Sequence, residues 1–251
     1  MKKYELTEET VIVFGETLHR IRAVRDFGSV KAGDLGGYIE KEENLSHCGE
    51  AWVSDNAMVC GYAEVCDNAM VCDNAKVSGD AEVSGNALVC GYAEVCGYAR
   101  VCGEAWVCGY AEVCGYAEVS DDAVVSGTAV VSGNARVCGE AWVCDNAEVC
   151  GYAKVSGNAK VSGKACVCGD AEVSNTRHFF VQGPIGSRDG FVTFYRAKDN
   201  KVRVRCGCFS GSLQEFVNQV EKTHGGSRYE KEYKLAVELA KVCIHLEGES
   251  K

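Results

Sequence analysis

The chain has 251 residues, with 26 lysines and arginines against 36 aspartates and glutamates, and a formal net charge of −10. A hydrophobic content of 47% and a charged content of 25% are ordinary for a globular protein and exclude wholesale disorder. No apolar run approaches the roughly 20 residues of a membrane-spanning helix, and the N-terminus lacks the apolar core of a signal peptide. We therefore expect a cytoplasmic protein with no membrane contact and with reduced cysteines.

Residues 1–44 are predicted to form an N-terminal β cap. Two apolar segments, residues 11–14 and 18–24, have the composition of strands and meet around Gly15. A glycine-rich stretch that ends at Gly37 leads into the next segment. Because the open end of a repeat array invites edge-to-edge stacking, capping is the simplest interpretation of this segment.

Residues 45–174 contain a six-residue repeat that runs without interruption from Ala51 to Val173. Each unit reads Ala-x-Val, then cysteine or serine, then glycine or aspartate, then most often Asn, Tyr, Asp or Glu. Alanine and valine point one way and the residue between them points the other, as in a short strand, and the next residues suit a corner. Three units make an 18-residue coil, so the 21 units predict seven coils around a narrow interior.

This repeat resembles that of the hexapeptide-repeat family, whose fold is the left-handed parallel β-helix. Residues 95–100, Val-Cys-Gly-Tyr-Ala-Arg, match the family pattern, with cysteine in a place more often taken by Gly, Ala, Glu or Asp. The flanking residues 22–27 and 30–39 look like those of uncharacterised hexapeptide-repeat proteins of phages, prophages and bacteria. The resemblance implies a mainly β protein with a left-handed β-helical rod, but it carries little information about function.

The outward residues of the rod form three columns when they are sorted by the 18-residue period. One column is apolar over six rungs and contains all three tryptophans; its members are Trp52, Met70, Leu88, Trp106, Val124 and Trp142. Such a column exceeds the apolar patches that soluble monomers usually expose, so we expect it to be covered. The cover is either another copy of the chain, with a trimer favoured by family analogy, or the protein's own C-terminal helices. The first option makes these six residues candidates for a homo-oligomer interface.

Residues 175–251 are predicted to form a small α+β domain with one hairpin and two helices. The first helix is expected to begin at Ser212, with Glu215 as its capping-box partner, and to end at Gly225. The second is expected to begin near Ser227. This domain carries 13 basic and 9 acidic side chains, whereas residues 51–174 carry 6 and 17, so a basic domain follows an acidic rod.

A two-residue turn at Asp199 and Asn200 would place the basic side chains of the hairpin on one face. The ligand-binding candidates are therefore Phe194, Arg196, Lys198, Lys201, Arg203 and Arg205, together with Arg188 from a glycine-rich loop. Like charges opposite one another require neutralisation. Carboxylates of the rod or of a neighbouring subunit are one source, and an anionic small molecule or a nucleic acid is the other.

Twelve of the 17 cysteines occupy the corner place after valine, where serine takes the remaining units, which favours a structural role. Two Cys-x-Cys pairs, Cys166/Cys168 and Cys206/Cys208, leave a zinc site as an alternative if the hairpin folds back onto the last coil. The prediction adopted is that the protein binds no metal and no cofactor.

Catalytic residues are not predicted. Hexapeptide-repeat acyltransferases typically use a histidine base beside a coil and often a loop ejected from it, and the 21 units contain neither. We therefore predict a non-enzymatic binding or scaffold protein. Its rod would oligomerise, and its basic domain would recognise a phosphorylated small molecule or a host protein. The alternative is an acyltransferase that uses acyl-CoA.

Overall fold

The computed structural model describes residues 2–13 and 15–246. They form a parallel β-solenoid of about eight turns, preceded by antiparallel strands and followed by an antiparallel sheet with two helices. The predicted mainly β architecture, with a coiled rod between a β cap and an α+β domain, is confirmed. Among these residues no helix is both long and apolar enough to cross a membrane.

The N-terminal segment contains strands β1 (Tyr4–Val13), β2 (Glu16–Ala23) and β3 (Leu35–Ile39). The first two form the predicted hairpin around Gly15, although β1 begins earlier than residue 11 and Phe14 lies outside the described residues. The third pairs antiparallel with β2 and parallel with the strand Met58–Val59. The solenoid therefore begins at β3, within the segment predicted as a cap, and this accounts for its additional partial turn.

The 21 repeat units form the two-residue strands β4 (Trp52–Val53) to β24 (Glu172–Val173), which stack into three parallel ladders. The first ladder contains Trp52–Val53, Met70–Val71, Leu88–Val89, Trp106–Val107, Val124–Val125, Trp142–Val143 and Lys160–Val161. The second contains Met58–Val59, Lys76–Val77, Glu94–Val95, Glu112–Val113, Val130–Val131, Glu148–Val149 and Cys166–Val167. The third contains Glu64–Val65, Glu82–Val83, Arg100–Val101, Glu118–Val119, Arg136–Val137, Lys154–Val155 and Glu172–Val173. Paired residues are 18 apart, as the repeat predicts. We refer to β3–β24 as the rod.

The interior of the rod is built from the two invariant residues of the unit. Every repeat valine is fully buried, and every repeat alanine is at most 1% exposed. Each corner from Asp55 to Gly169 adopts a positive φ, which is a conformation that glycine takes without steric cost. At Gly97, with φ of +72°, an added Cβ would lie 3.0 Å from the backbone N and O of Gly115 in the next coil. The repeat therefore fixes the residue at each corner as well as in each strand.

The hydrogen bonds between coils run in both directions, as pairing in a parallel ladder requires. The N–H of Leu88 donates to the carbonyl of Ala105 in the next coil at 2.9 Å, and this pattern continues along the rod. Each end of the rod therefore presents both carbonyl and N–H groups at its outer edge. Buried backbone groups of this kind need partners.

The segment at each end supplies partners for some of these groups. At the first full coil, the buried Lys3 Nζ donates to the carbonyl of Ala51 at 2.6 Å, and Asn44 Nδ2 donates to that of Ala63 at 2.8 Å. At the last coil, the Thr193 hydroxyl oxygen accepts a hydrogen bond from the N–H of Cys166 at 3.0 Å. The first coil thus gains donors for its carbonyls, and the last coil gains an acceptor at Cys166 and donors at Asp170 and Glu172.

Two short 3-10 helices, Glu42–Asn44 and Thr176–His178, flank the 21 repeat units. The C-terminal domain then contains strands β25 (Phe179–Ile185), β26 (Gly190–Arg196), β27 (Val202–Cys206) and β28 (Phe209–Ser212), paired antiparallel in that order. Helices α1 (Leu213–His224) and α2 (Arg228–Cys243) follow.

The C-terminal sheet lies between the rod and the two helices. Phe194 packs in the core shared with the helices, whereas Tyr195 packs against the core of the rod. Both helices begin at the predicted serines: Ser212 forms the predicted capping box with Glu215, and the Ser227 side chain accepts a hydrogen bond from the Glu230 N–H.

Candidate functional site

The apolar column of the first ladder, here the Trp stripe, consists of Trp52, Met70, Leu88, Trp106, Val124 and Trp142. Successive members are paired in the ladder. The cap buries only Trp52, whose ring lies 5.3 Å from that of Phe27. Trp106 is 53% exposed, and Trp142 is 49% exposed. The C-terminal helices do not cover the Trp stripe, so the prediction of an intrachain cover by these helices is wrong.

The hairpin formed by β26 and β27 differs from the prediction by one residue in register. Arg196 pairs with Val202 and Tyr195 with Arg203, because the loop contains three residues, 198–200, and not two. Asn200 adopts a φ of 57°, and its N–H donates to the carbonyl of Ala197 at 2.9 Å. Because a shift of one residue moves the side chains of one strand to the other face relative to its partner, Arg203 and Arg205 lie on the opposite face from Arg196, and the predicted single basic face does not form.

Two of the predicted binding residues are buried. Phe194 lies in the core between sheet and helices. Arg196 is 4% exposed, and its Nε donates to the carbonyl of Glu172 in the last coil at 3.1 Å. Both residues therefore hold the domain together and are not presented at its surface.

The basic residues around the hairpin loop have an acidic partner of their own. Arg203 Nη2 lies 2.9 Å from Asp199 Oδ2, and Lys201 Nζ lies 3.8 Å from the same oxygen. Lys198 is exposed, and its N–H donates to the carbonyl of Asp170 at 3.0 Å. A carboxylate inside the loop thus provides the neutralisation that was expected from the rod, a neighbouring subunit or a ligand.

Arg205 lies away from these residues, beside a group of thiols at the junction with the rod. The Sγ atoms of Cys150, Cys166 and Cys168 all lie within 4.8 Å of one another. The Tyr195 hydroxyl is 3.5 Å from Cys168 Sγ. Hydrogen bonds from Cys150 and Cys166, and then from Tyr195, lower the pKa of Cys168, so negative charge in the group concentrates on this sulfur.

The four cysteines considered for zinc are not brought together. Cys206 packs in the core shared with the helices and interacts with Tyr233, on the opposite side of the sheet from Thr193 and Tyr195. Cys150 is the third member of the group and was not among the cysteines considered for zinc. The signal was present, since Cys150 and Cys168 are 18 residues apart and Cys166 is the only cysteine in an outward position of the repeat.

A cavity of about 490 Å³ lies between the sheet and the helices of the C-terminal domain. Its walls include the aromatic side chains of Phe191, Phe209, Phe216 and Tyr233, and Arg188 is the cationic residue among them. Burial raises the pKa of Tyr233 to about 12, so its hydroxyl remains protonated near neutral pH. Of the seven predicted binding residues, only Arg188 lines this cavity. Packing of the helices on the sheet creates it, and no spacing in the sequence indicated it.

The corner thiols of the rod are poorly ionisable. Burial is the main cause that raises the pKa of Cys66 to about 11 and those of Cys72 and Cys114 to about 12. Since the thiolate is the nucleophilic form, these cysteines are suited to packing and not to catalysis.

Comparison of the sequence with protein-family models found no match, and neither did comparison with curated proteins. The fold assignment therefore depends on the repeat and on the ladders that it forms.

Proposed function

We propose that this protein is a non-enzymatic binding and scaffold protein, in which the rod associates with other copies of the chain and the C-terminal cavity holds an anionic small molecule. The observation that carries the proposal is the cavity, because it combines aromatic walls with Arg188. Its volume of about 490 Å³ falls within the range of small-molecule sites.

The chemistry of the cavity favours a phosphorylated ligand with a planar apolar part. Aromatic side chains such as Phe191 and Phe209 can stack on a ring of the ligand. A guanidinium can donate two parallel hydrogen bonds to a phosphate, which fixes orientation as well as charge. A nucleoside monophosphate has both parts, and it is the ligand class proposed here.

The Trp stripe supports the scaffold half of the proposal. Five apolar rungs from Met70 to Trp142 continue along one face without a cover from residues 2–13 or 15–246. Exposed apolar surfaces of this extent mark interaction sites, and aromatic residues are enriched at the centres of interfaces. A second copy of the chain, which carries the same face, is the proposed cover.

Ligand binding is tested by calorimetric titration with AMP and with inorganic phosphate as separate probes. We expect AMP to bind, phosphate alone to bind more weakly, and Arg188→Gln to lose most of the AMP affinity. Arg177→Gln is the matched control, because Arg177 lies in the 3-10 helix and does not line the cavity. Failure of AMP to bind, or equal losses in the two variants, would reject the proposed ligand.

Self-association is tested separately by sedimentation velocity of the wild type and of Trp106→Lys. Lysine occurs naturally in this ladder at Lys160, so the rod accommodates it. Val130→Lys, an outward position of the second ladder, is the control. A smaller oligomer in Trp106→Lys, with no change of size in Val130→Lys, supports the proposal. A monomeric wild type, or an unchanged oligomer in Trp106→Lys, contradicts it.

A further inference from the structure

The group of three thiols at the junction of the rod and the C-terminal domain is formed by Cys150, Cys166 and Cys168. It differs from the pairs of stacked corner cysteines in the rest of the rod. Corner cysteines elsewhere stack one above another, as Cys72 and Cys90 do. Here Cys166 adds a third thiol from the outward position of the last strand in its ladder, and the three Sγ atoms lie within 4.8 Å of one another.

A carboxylate and a protein cover complete the surroundings of these thiols. Glu148 pairs with Cys166 in the second ladder, and its Oε2 lies 3.8 Å from Cys166 Sγ. The C-terminal sheet covers the group with the Tyr195 hydroxyl and with Arg205, and Cys168 is only 7% exposed. Three sulfur donors therefore converge in a partly enclosed place, and a carboxylate oxygen lies beside one of them.

We propose that Cys150, Cys166 and Cys168 bind Zn²⁺ as thiolates, with Glu148 as the fourth ligand. Zinc favours four-coordinate sites built from cysteine sulfur and, less often, carboxylate oxygen. A Zn–S distance of about 2.3 Å places tetrahedral sulfurs about 3.8 Å apart, so small side-chain movements suffice to close the site. Binding releases the protons that the thiols still carry, and Arg205 offsets part of the negative charge that remains.

The place of the site in the fold indicates a structural role for the ion. Cys150 belongs to the coil before the one that contains Cys166 and Cys168, and Tyr195 and Arg205 belong to the C-terminal sheet. A bound ion would link the last two coils directly beneath that sheet. We therefore expect Zn²⁺ to stabilise the end of the rod to which the C-terminal domain is attached.

A second group on the rod, formed by Cys72, Asp73 and Cys90, provides an internal comparison. It contains only two thiols, and Asp73 Oδ2 already accepts a hydrogen bond from the N–H of Gly91 at 2.9 Å. Cys90→Ser is therefore a matched control that removes one thiol from a group without a third sulfur. Serine occupies nine of the 21 corners, so the fold accepts this substitution.

The experiment titrates reduced, chelator-treated protein with Zn²⁺ in competition with a chromophoric chelator. A parallel Co²⁺ titration monitors sulfur-to-metal charge-transfer absorption. We expect one tight equivalent of Zn²⁺ per chain in the wild type and in Cys90→Ser. Cys166→Ser should lower the Zn²⁺ affinity of this site by more than ~100-fold. The reason is that loss of a side chain that only orients a ligand already lowers metal affinity about 10–100-fold.

Cys150→Ser gives a second test in case Cys166→Ser folds poorly, because serine is common at corners. In both variants, Zn²⁺ should no longer raise the unfolding temperature. The proposal is overturned if the wild type lacks a tight equivalent, if the site survives in both Cys166→Ser and Cys150→Ser, or if Cys90→Ser lowers the affinity equally.

Discussion

Ala171 of the last coil pairs with Ala197 of the C-terminal hairpin in an antiparallel bridge. The N–H of Lys198 donates to the carbonyl of Asp170 beside this bridge, and the N–H of Cys166 donates to the Thr193 hydroxyl. The C-terminal domain is therefore bound to the rod through backbone groups that a shorter chain would leave without partners. The C-terminal domain therefore caps the C-terminal end of the solenoid and also contains the cavity.

The hydrogen bond at Thr193 is expected to contribute to stability. Thr193 is 2% exposed, so Thr193→Val would leave the N–H of Cys166 buried without a partner. The expected cost is about 1–3 kcal/mol in the free energy of unfolding, measured by urea denaturation. Thr193→Ser keeps the hydroxyl and should remain within about 1 kcal/mol of the wild type. Equal stabilities of the valine and serine variants would show that this hydrogen bond does not matter.

The interior of the rod is expected to reject larger side chains. Ala105 is fully buried beside Val107, so Ala105→Leu should destabilise the protein by about 1–3 kcal/mol or more. Trp106 lies between these residues and points outward, and Trp106→Lys should have little effect on the stability of the monomer. Thermal unfolding of both variants at low protein concentration measures the difference. A tolerated leucine would mean that the interior is wider than the ladders imply.

We expect the corners of the rod to tolerate aspartate with a smaller loss of stability than other non-glycine residues. Gly109 has a φ of +75°, and an added Cβ would lie 2.9 Å from the carbonyl oxygen of Gly127. Gly109→Val should cost at least about 1–2 kcal/mol, the usual penalty for a left-handed conformation. Gly109→Asp should cost less, because aspartates such as Asp121 take this conformation and accept a hydrogen bond from the next coil. Chemical denaturation of the two variants tests this order, and the reverse order would contradict it.

The buried corner thiols are expected to make the fold sensitive to alkali. Their raised pKa values, about 11 for Cys66 and about 12 for Cys72 and Cys114, mean that the folded chain holds these protons more tightly than the unfolded chain, whose thiols have the ordinary value of 9.0. This contribution to stability is complete below pH 9.0 and is lost as the pH rises toward the folded values.

Between about pH 8 and about pH 10.5, the urea midpoint of unfolding should therefore fall more for the wild type than for the double variant Cys72→Ser/Cys114→Ser. Reducing agent prevents disulfide formation in both samples. The same fall in midpoint for both proteins would show that other groups control the alkaline response.

The repeat allowed the rod to be predicted in detail because its geometry is local. The residue types of each unit determine one strand and one corner, so the pairing of Leu88 with Trp106 follows from the 18-residue period. The hairpin register did not follow in this way. It depends on whether the loop has two or three residues, and the positive φ of Asn200 selected three.

The sequence pattern also did not predict the strand Phe179–Ile185 or the cavity. Gly183 and Pro184 interrupt this strand and are atypical of a sheet interior, but at the sheet edge proline is tolerated. The cavity exists because Phe209 and Tyr233, from distant parts of the chain, line the same space once the helices have packed. No pattern along the chain records that arrangement.

Each coil of the rod repeats the one before it, so the two ends of the rod are complementary in their hydrogen-bonding groups. A truncated chain without Lys3 and Asn44 at one end, and without Thr193 and Arg196 at the other, would leave backbone N–H and carbonyl groups free at both ends. Such surfaces are complementary, so successive molecules would dock head to tail and extend the ladders into a filament. The two flanking segments thus limit the assembly to a particle of fixed length, and sideways contact along the rod is the association that remains open to it.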